Sequence, residues 1–356
     1  MPERGTAPLS AWRGRAAQCD AQGQHDEAIN ELARGTRAGD AGSVRDLGLR
    51  LLLGDRAPLL PKEGLNFLAE ACERGVAEAA ARAAGVLALG VRTPPDLPVA
   101  LAWLARSATA GWNLAQRQLR ALCGDAALAG RAASPGFSDW NALAASVDLE
   151  NWRRAPLPVI HSEEPRIATF ADFLRPAVCD LLIDFAQGRL APARVYDVAR
   201  QTEVVNAHRT NTIATFDIHD VELVHVLVQA RMAAACGIGE RFMEAPSVLH
   251  YFPGEQIHDH YDFIDPASTA DYAGEIARNG QRLITFIVYL NDDYEGGATD
   301  FPRLAVTHRG SRGEGIYFVN AKPDLSPELR MLHAGRPPTR GEKWIVTQFV
   351  RSRPTR

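Results

Sequence analysis

The stretch GEQIHDHYDF, residues 254–263, gathers three side chains able to bind a metal, His258, His260 and Asp262. Side chains two apart on a β-strand point to the same face, so His260 and Asp262 could grip one ion with an imidazole and a carboxylate. The pattern alone is weak. His161 and Glu163 repeat it in a Pro-rich connector, where it reads as surface chemistry. A third donor has to come from elsewhere in the chain. Two imidazoles and one carboxylate would then leave three positions open on one side of a non-haem Fe(II), room for a chelating co-substrate and O2.

The other histidines narrow the choice of third donor. His25 falls in a repetitive N-terminal region, and His208, His219 and His225 precede the strand-like segments; all four read as surface or packing residues. His250 alternates with Tyr251 and faces the other way. His308 competes, although its setting, THRGSRGEG, reads as an exposed turn. His333 lies ten residues before Lys343, and that pairing favours it. Lysine is rare here: Lys62, Lys322 and Lys343 stand against 36 arginines, so a lysine marks a place for a compact ammonium rather than a guanidinium fork. Lys343, Ile345, Thr347 and Phe349 share one face of a strand, and the apolar members place that face inside. An ammonium there needs a charged partner.

These residues must be held by larger elements, and the chain has two textures. The first third is rich in Ala and Leu and repeats every 36 residues: Gly39, Gly75 and Gly111; Leu32, Leu68 and Leu104; Ser43, Ala79 and Ala115; Leu51 and Leu87; Gly54 and Gly90. Each unit reads as two helices joined by a Pro-containing turn and ended by glycine. Such pairs must stack to bury their apolar faces. Residues 126–164 lose the period and read as a connector with one short helix near 138–147. Beyond them come two helical stretches, FADFLRPAVCDLLIDFAQ and DVELVHVLVQARMAAACG, the second with Asp220 as its expected N-cap. Four strand-like runs follow, SVLHYF, RLITFIVYLN, GEGIYFVN and EKWIVTQFVR. Helices followed by strands, without alternation, favour an antiparallel sandwich or jelly roll with supporting helices over a parallel sheet. The expected organisation is a helical repeat domain over 1–125, a connector over 126–164 and a jelly-roll domain over 165–356.

The repeat period and its small-residue positions resemble tetratricopeptide-like repeats of the longer SEL-like kind, across about residues 20–125. The second texture resembles the prolyl 4-hydroxylase branch of the Fe(II)- and 2-oxoglutarate-dependent oxygenases, across about residues 165–351. The resemblance rests on LHYFPGEQIHDHYDF, on GQRLITFIVYLNDDYEGGATDFP with its Gly-Gly-x-Thr-x-Phe-Pro turn, and on GIYFVN, LHAG and GEKW, in that order, with HRTN upstream. It implies a double-stranded β-helix in which His260, Asp262 and His333 hold Fe(II) and Lys343 pairs with the distal carboxylate of 2-oxoglutarate. Tyr251, Thr285 and Tyr289 match positions that line the co-substrate pocket, Arg209 one that contacts substrate, and His258 lies at the pocket rim. The implied reaction is hydroxylation of an unactivated C–H with O2, releasing succinate and CO2, with ascorbate supportive. A prolyl residue of a peptide or protein is the substrate that the resemblance suggests.

Two other functions fit the same residues: hydroxylation of a free amino acid or small metabolite, and a non-catalytic adaptor that senses iron or 2-oxoglutarate and recruits partners through its repeats. Residues 263–281, long and polar, read as a mobile lid. The balance of 39 basic and 43 acidic residues, net −4, offers no broad attraction for nucleic acid or an anionic membrane. Cys19, Cys72, Cys123, Cys179 and Cys236 lie far apart, with no CxxC pair, and read as core residues in a reducing compartment. The start of the sequence lacks a signal-like apolar stretch, so the expected location is the cytoplasm.

Overall fold

Glycine sets the period of the helical region. Gly39, Gly75 and Gly111 adopt φ of +86°, +92° and +91°, a left-handed conformation in which a side chain would be strained. They follow helices His25–Arg37, Pro61–Glu73 and Leu97–Thr109, whose starts and ends recur in the same register. Between these run Ala41–Leu53, Glu78–Leu89 and Asn113–Leu122. Leu32, Leu68 and Leu104 are buried, as are Ser43, Ala79 and Ala115. At Gly64 an added Cβ would stand 2.6 Å from the Leu52 nitrogen and 2.8 Å from the Gly48 oxygen, which is how closely two helices of one unit approach.

The computed structural model describes residues 10–91, 94–197, 202–204, 208–265 and 270–355. They form two compact units. One comprises the chain up to Asp148 together with Asp220–Val226; the other comprises Leu149–His219 and Leu227–Arg356. In the first unit Glu222 is buried, accepts a 2.8 Å bond from Gln118 Nε2 and lies 3.1 Å from Arg82 Nη1. The helix of this region begins at Leu223, so Asp220 lies ahead of its capping position. No helix among the described residues is long and apolar enough to cross a membrane.

The second unit is a double-stranded β-helix. Its larger sheet runs, in spatial order, Val159–Glu163, Arg166–Phe170, Gly315–Val319, Arg282–Tyr289, Lys343–Arg351, Ser247–Tyr251, Thr212–Thr215 and Ala191–Pro192, antiparallel throughout. The smaller sheet runs Val306–His308, Thr299–Phe301, His333–Gly335 and Ile257–His260. The first strand of the larger sheet lies inside the segment that the sequence reads as connector, where short helices Ala126–Arg131, Trp140–Ala145 and Leu149–Trp152 also occur. Leu249, Tyr251, Ile287, Tyr289, Ile316, Phe318 and Ile345 of the larger sheet pack with Phe301 of the smaller in one apolar cluster. Every strand residue in it faces inward by the two-residue period. Helix Pro176–Gln187 packs on strands Thr212–Thr215 and Ser247–Tyr251 of this unit, which also contains the helical residues Leu227–Cys236. Gln229 of the latter bonds Gln348 at 2.8 Å, from the outward face of the last strand.

Candidate metal centre and active site

His260 and His333 stand directly opposite each other in the smaller sheet, so both imidazoles leave the same face, with ring centroids 4.3 Å apart. Asp262 lies just past the end of strand Ile257–His260 rather than on it. Its position is fixed by the chain that follows. Gln281, buried, clamps both backbone groups of Ile264, each at 2.7 Å. The carboxylate of Asp262 then meets both rings: Oδ1 is 3.3 Å from His260 Nε2, and Oδ2 is 3.2 Å from His333 Nε2.

Each ring is oriented by its own neighbouring backbone. His260 Nδ1 pairs with the His258 carbonyl at 2.8 Å and His333 Nδ1 with the Met331 carbonyl at 3.0 Å, which leaves both Nε2 atoms turned to the shared point. One ligand atom from each of His260, Asp262 and His333 lies within 4.8 Å of the others, the only such cluster among the described residues. Burial works to raise the Asp262 carboxyl, yet the facing His333 and His260 outweigh it and hold the group well below the usual carboxylate range. Burial likewise works to lower His333, and the Asp262 charge raises it. Two imidazoles and a carboxylate are a donor set that fits Fe(II).

Lys343 lies deep in the larger sheet, 1% exposed, opposite Tyr251. Its ammonium is 5.1 Å from the Tyr251 ring centre and 5.7 Å from that of Tyr289. Among the described residues it makes no hydrogen bond or ion pair, and burial pushes it down to about 7. A lone ammonium in an apolar interior fits a carboxylate brought by a bound molecule. Tyr294 lies close by: a Cβ on Gly297 would come within 2.8 Å of its ring and 3.3 Å of Lys343 Cδ. The Tyr294 hydroxyl is buried and meets no hydrogen-bond partner among the described residues.

The other candidate residues divide. Tyr251 and Tyr289 are fully buried beside Lys343; the Tyr289 hydroxyl bonds Thr299 Oγ1 at 2.8 Å. Thr285 is buried too, but its hydroxyl is committed to Asp262 Oδ2 at 2.6 Å and to Asn320 Nδ2 at 2.8 Å. Arg209 bridges to Ile257, bonds Asn211 Oδ1 at 3.3 Å, and its charge bears on Tyr251. The His258 ring lies beside the His208 ring, 5.4 Å between centroids, while its carbonyl serves His260. His308 is not in an exposed turn. It ends a strand, half-buried, with Nε2 3.2 Å from Glu314. His161 is bonded to Thr169 at 2.9 Å. Of the polar residues expected to form a lid, 266–269 lie outside the described residues, and Ala270–Asn279 is a helix whose Glu275 pairs with Arg351 at 2.6 Å. That helix is anchored to the last strand.

The fold and this site together define an oxygenase of the Fe(II) and 2-oxoglutarate type. The chain belongs to the 2OG-Fe(II) oxygenase superfamily, whose sequence profile matches residues 246–351, and it is a 2-oxoglutarate-dependent dioxygenase. It is 30% identical to prolyl 4-hydroxylase 1 of Arabidopsis thaliana over 214 residues, 56% of this chain and 73% of that one. Among solved structures it is similar to the viral collagen prolyl hydroxylase of Paramecium Bursaria Chlorella virus-1 in complex with 2OG, at 26% identity and TM-score 0.40, over 52% of this chain and 96% of that. It is also similar to a Sel1 repeat protein from Oxalobacter formigenes, at 25% identity and TM-score 0.25, over 33% of this chain and 96% of that. The family implies Fe(II), 2-oxoglutarate and O2.

Proposed function

We propose that the second unit hydroxylates a prolyl residue of a peptide or protein. Nε2 of His260 and His333 with a carboxylate oxygen of Asp262 would hold Fe(II), and Lys343 would receive the far carboxylate of 2-oxoglutarate. When bound, the metal and co-substrate supply an O2-derived oxidant for an unactivated C–H, with 2-oxoglutarate leaving as succinate and CO2.

The chain's own part is to position and to exclude. The His258 and Met331 carbonyls fix the tautomer of the two imidazoles, so that Nε2 is the free donor in each. Phe301 and Phe318, with ring centroids 5.7 and 4.7 Å from that of His333, keep water from its inner side. Lys343, Tyr251 and Tyr289 make the co-substrate end of the interior cationic and otherwise apolar, which suits a dicarboxylate held by one end. Arg209, beside Ile257 at the edge of the smaller sheet, is the side chain we assign to substrate contact. Asp262 supports hydroxylation in particular, because it keeps the third donor position filled by protein.

The observation that carries this reading is the convergence of His260, Asp262 and His333 in one unit with a buried ammonium at Lys343 that meets no carboxylate among the described residues. The prolyl substrate is supported by the similarity to prolyl 4-hydroxylase 1. The test is succinate release with Fe(II), 2-oxoglutarate, O2 and ascorbate as supporting reductant, with and without Pro-containing peptides, and with free proline. Peptide-stimulated succinate, a peptide mass gain of one oxygen, and neither with His333→Ala are expected. Stimulation by free proline alone would replace the peptide by a small metabolite. Succinate no higher than the His333→Ala background would remove the catalytic reading and leave an adaptor.

A further inference from the structure

We infer that Asn320 and Thr285 are positioning residues that load one oxygen of Asp262, so that the carboxylate serves the metal through the other. The inference rests on the metal reading above and deepens it. Asn320 follows the strand Gly315–Val319 and is 1% exposed. Its backbone is pinned on both sides, its N–H donating to the Leu283 carbonyl at 2.7 Å and its carbonyl accepting from Glu328 at 3.0 Å. Its amide Nδ2 donates to Thr285 Oγ1, and the Thr285 hydroxyl donates to Asp262 Oδ2.

The chain of donors can run in one direction only. A hydroxyl has one proton, and a threonine that accepts from an amide N–H is free to spend that proton on the carboxylate. With the Asn320 amide turned over, its oxygen would compete for the same proton and strip Asp262 of its partner. In the observed orientation Asn320 Oδ1 is buried and meets no hydrogen-bond partner among the described residues. Thr285 is β-branched and lies in the middle of the central strand Arg282–Tyr289, so its hydroxyl has little rotational freedom and points where the strand puts it.

The consequence is chemical. A carboxylate that binds through both oxygens takes an extra coordination position, and a two-oxygen chelating co-substrate plus O2 need three beside the protein's three. Oδ2 already accepts the Thr285 hydroxyl at 2.6 Å, besides facing His333 Nε2 at 3.2 Å, so Oδ1, which faces His260 Nε2 at 3.3 Å, is the oxygen we assign to the ion. Thr285 therefore acts on the metal through Asp262, and its removal is felt in metal affinity before co-substrate binding.

The test uses Co(II) alone, without 2-oxoglutarate, titrated anaerobically into the full chain and followed by visible absorption. Thr285→Val and Asn320→Leu are expected to raise the Co(II) Kd by about 10- to 100-fold, and Thr285→Ser to stay within a few-fold of wild type. The double variant is expected to be no worse than Thr285→Val, because the two act in series. If Thr285→Val does not fold, Thr285→Ala, which removes the hydroxyl without adding bulk, carries the same expected loss. Variants that fold and bind Co(II) as the wild type does, or single losses that add in the double, overturn the relay. A wild type that binds Co(II) no better than His333→Ala instead overturns the metal reading beneath it.

Discussion

Lys343 and Tyr251 face each other across an antiparallel strand pair, and the ammonium lies 5.1 Å from the centre of the tyrosine ring. Opposite residues of such a pair share a face, so the same register that buries Tyr251 buries the charge. Burial pushes Lys343 from 10.5 to about 7. Between those values the unfolded chain holds a proton that the folded protein does not, so this group's contribution to stability rises with pH through the window from 7 to 10.5 and is least favourable below 7. Lys343→Met is therefore expected to melt higher than wild type at pH 6, with the difference shrinking toward pH 9, as read by thermal melts of the metal-free protein.

The same residue predicts proton uptake on ligand binding. A carboxylate beside Lys343 favours the ammonium and raises its pKa, so at pH 8 binding of 2-oxoglutarate should draw about one proton from solution. Calorimetric titrations in two buffers of different ionisation enthalpy measure this directly. The uptake is expected to fade toward pH 6, where the free protein already carries the charge, and to vanish in Lys343→Met.

Gly297 adopts φ +66°, and a Cβ there would meet the Tyr294 ring at 2.8 Å and Lys343 Cδ at 3.3 Å. Gly297→Ala combines backbone strain with overpacking and is expected to destabilise by about 1–3 kcal/mol. It is also expected to raise the KM for 2-oxoglutarate while leaving the Co(II) affinity unchanged, because none of those contacts involves His260, Asp262 or His333. Urea melts and the two affinities together check this.

How much of this was legible follows from which forces are local. The 36-residue register was visible because the same glycines and leucines recur, and the structure uses them for left-handed helix ends and for buried contacts. The long strands of the larger sheet were visible in their β-branched runs. The smaller sheet was not, because Ile257–His260, Thr299–Phe301, Val306–His308 and His333–Gly335 are three or four residues long and carry polar groups for the site, too short for a period to show. His260 and Asp262 could be paired by spacing, yet the pairing arises from a strand end and a clamped loop rather than from one strand face. Asn320 and Gln281 gave no signal, since a buried amide looks like a turn residue until its partners are known. Nor did the chain announce that Asp220–Val226 groups with the helical unit, because the partners of Glu222, Arg82 and Gln118, lie more than a hundred residues earlier.

The leucine register makes its own prediction. Leu68 is fully buried in its unit, and Leu68→Ala is expected to destabilise that unit by about 2–5 kcal/mol. Urea unfolding followed by far-UV circular dichroism reads it, with the helix-dominated transition moving and the other one staying in place, since two units need not unfold together.

The most direct measurement of the central claim is the weak visible charge-transfer absorption formed when Fe(II) and 2-oxoglutarate are added together without oxygen. The wild type is expected to develop it and to saturate at equimolar Fe(II). His333→Ala should show none, and Lys343→Met should bind Co(II) normally yet lack the band at the same 2-oxoglutarate concentration. A band of wild-type strength in His333→Ala, or none in the wild type itself, would contradict the assignment of these residues to one iron and one dicarboxylate.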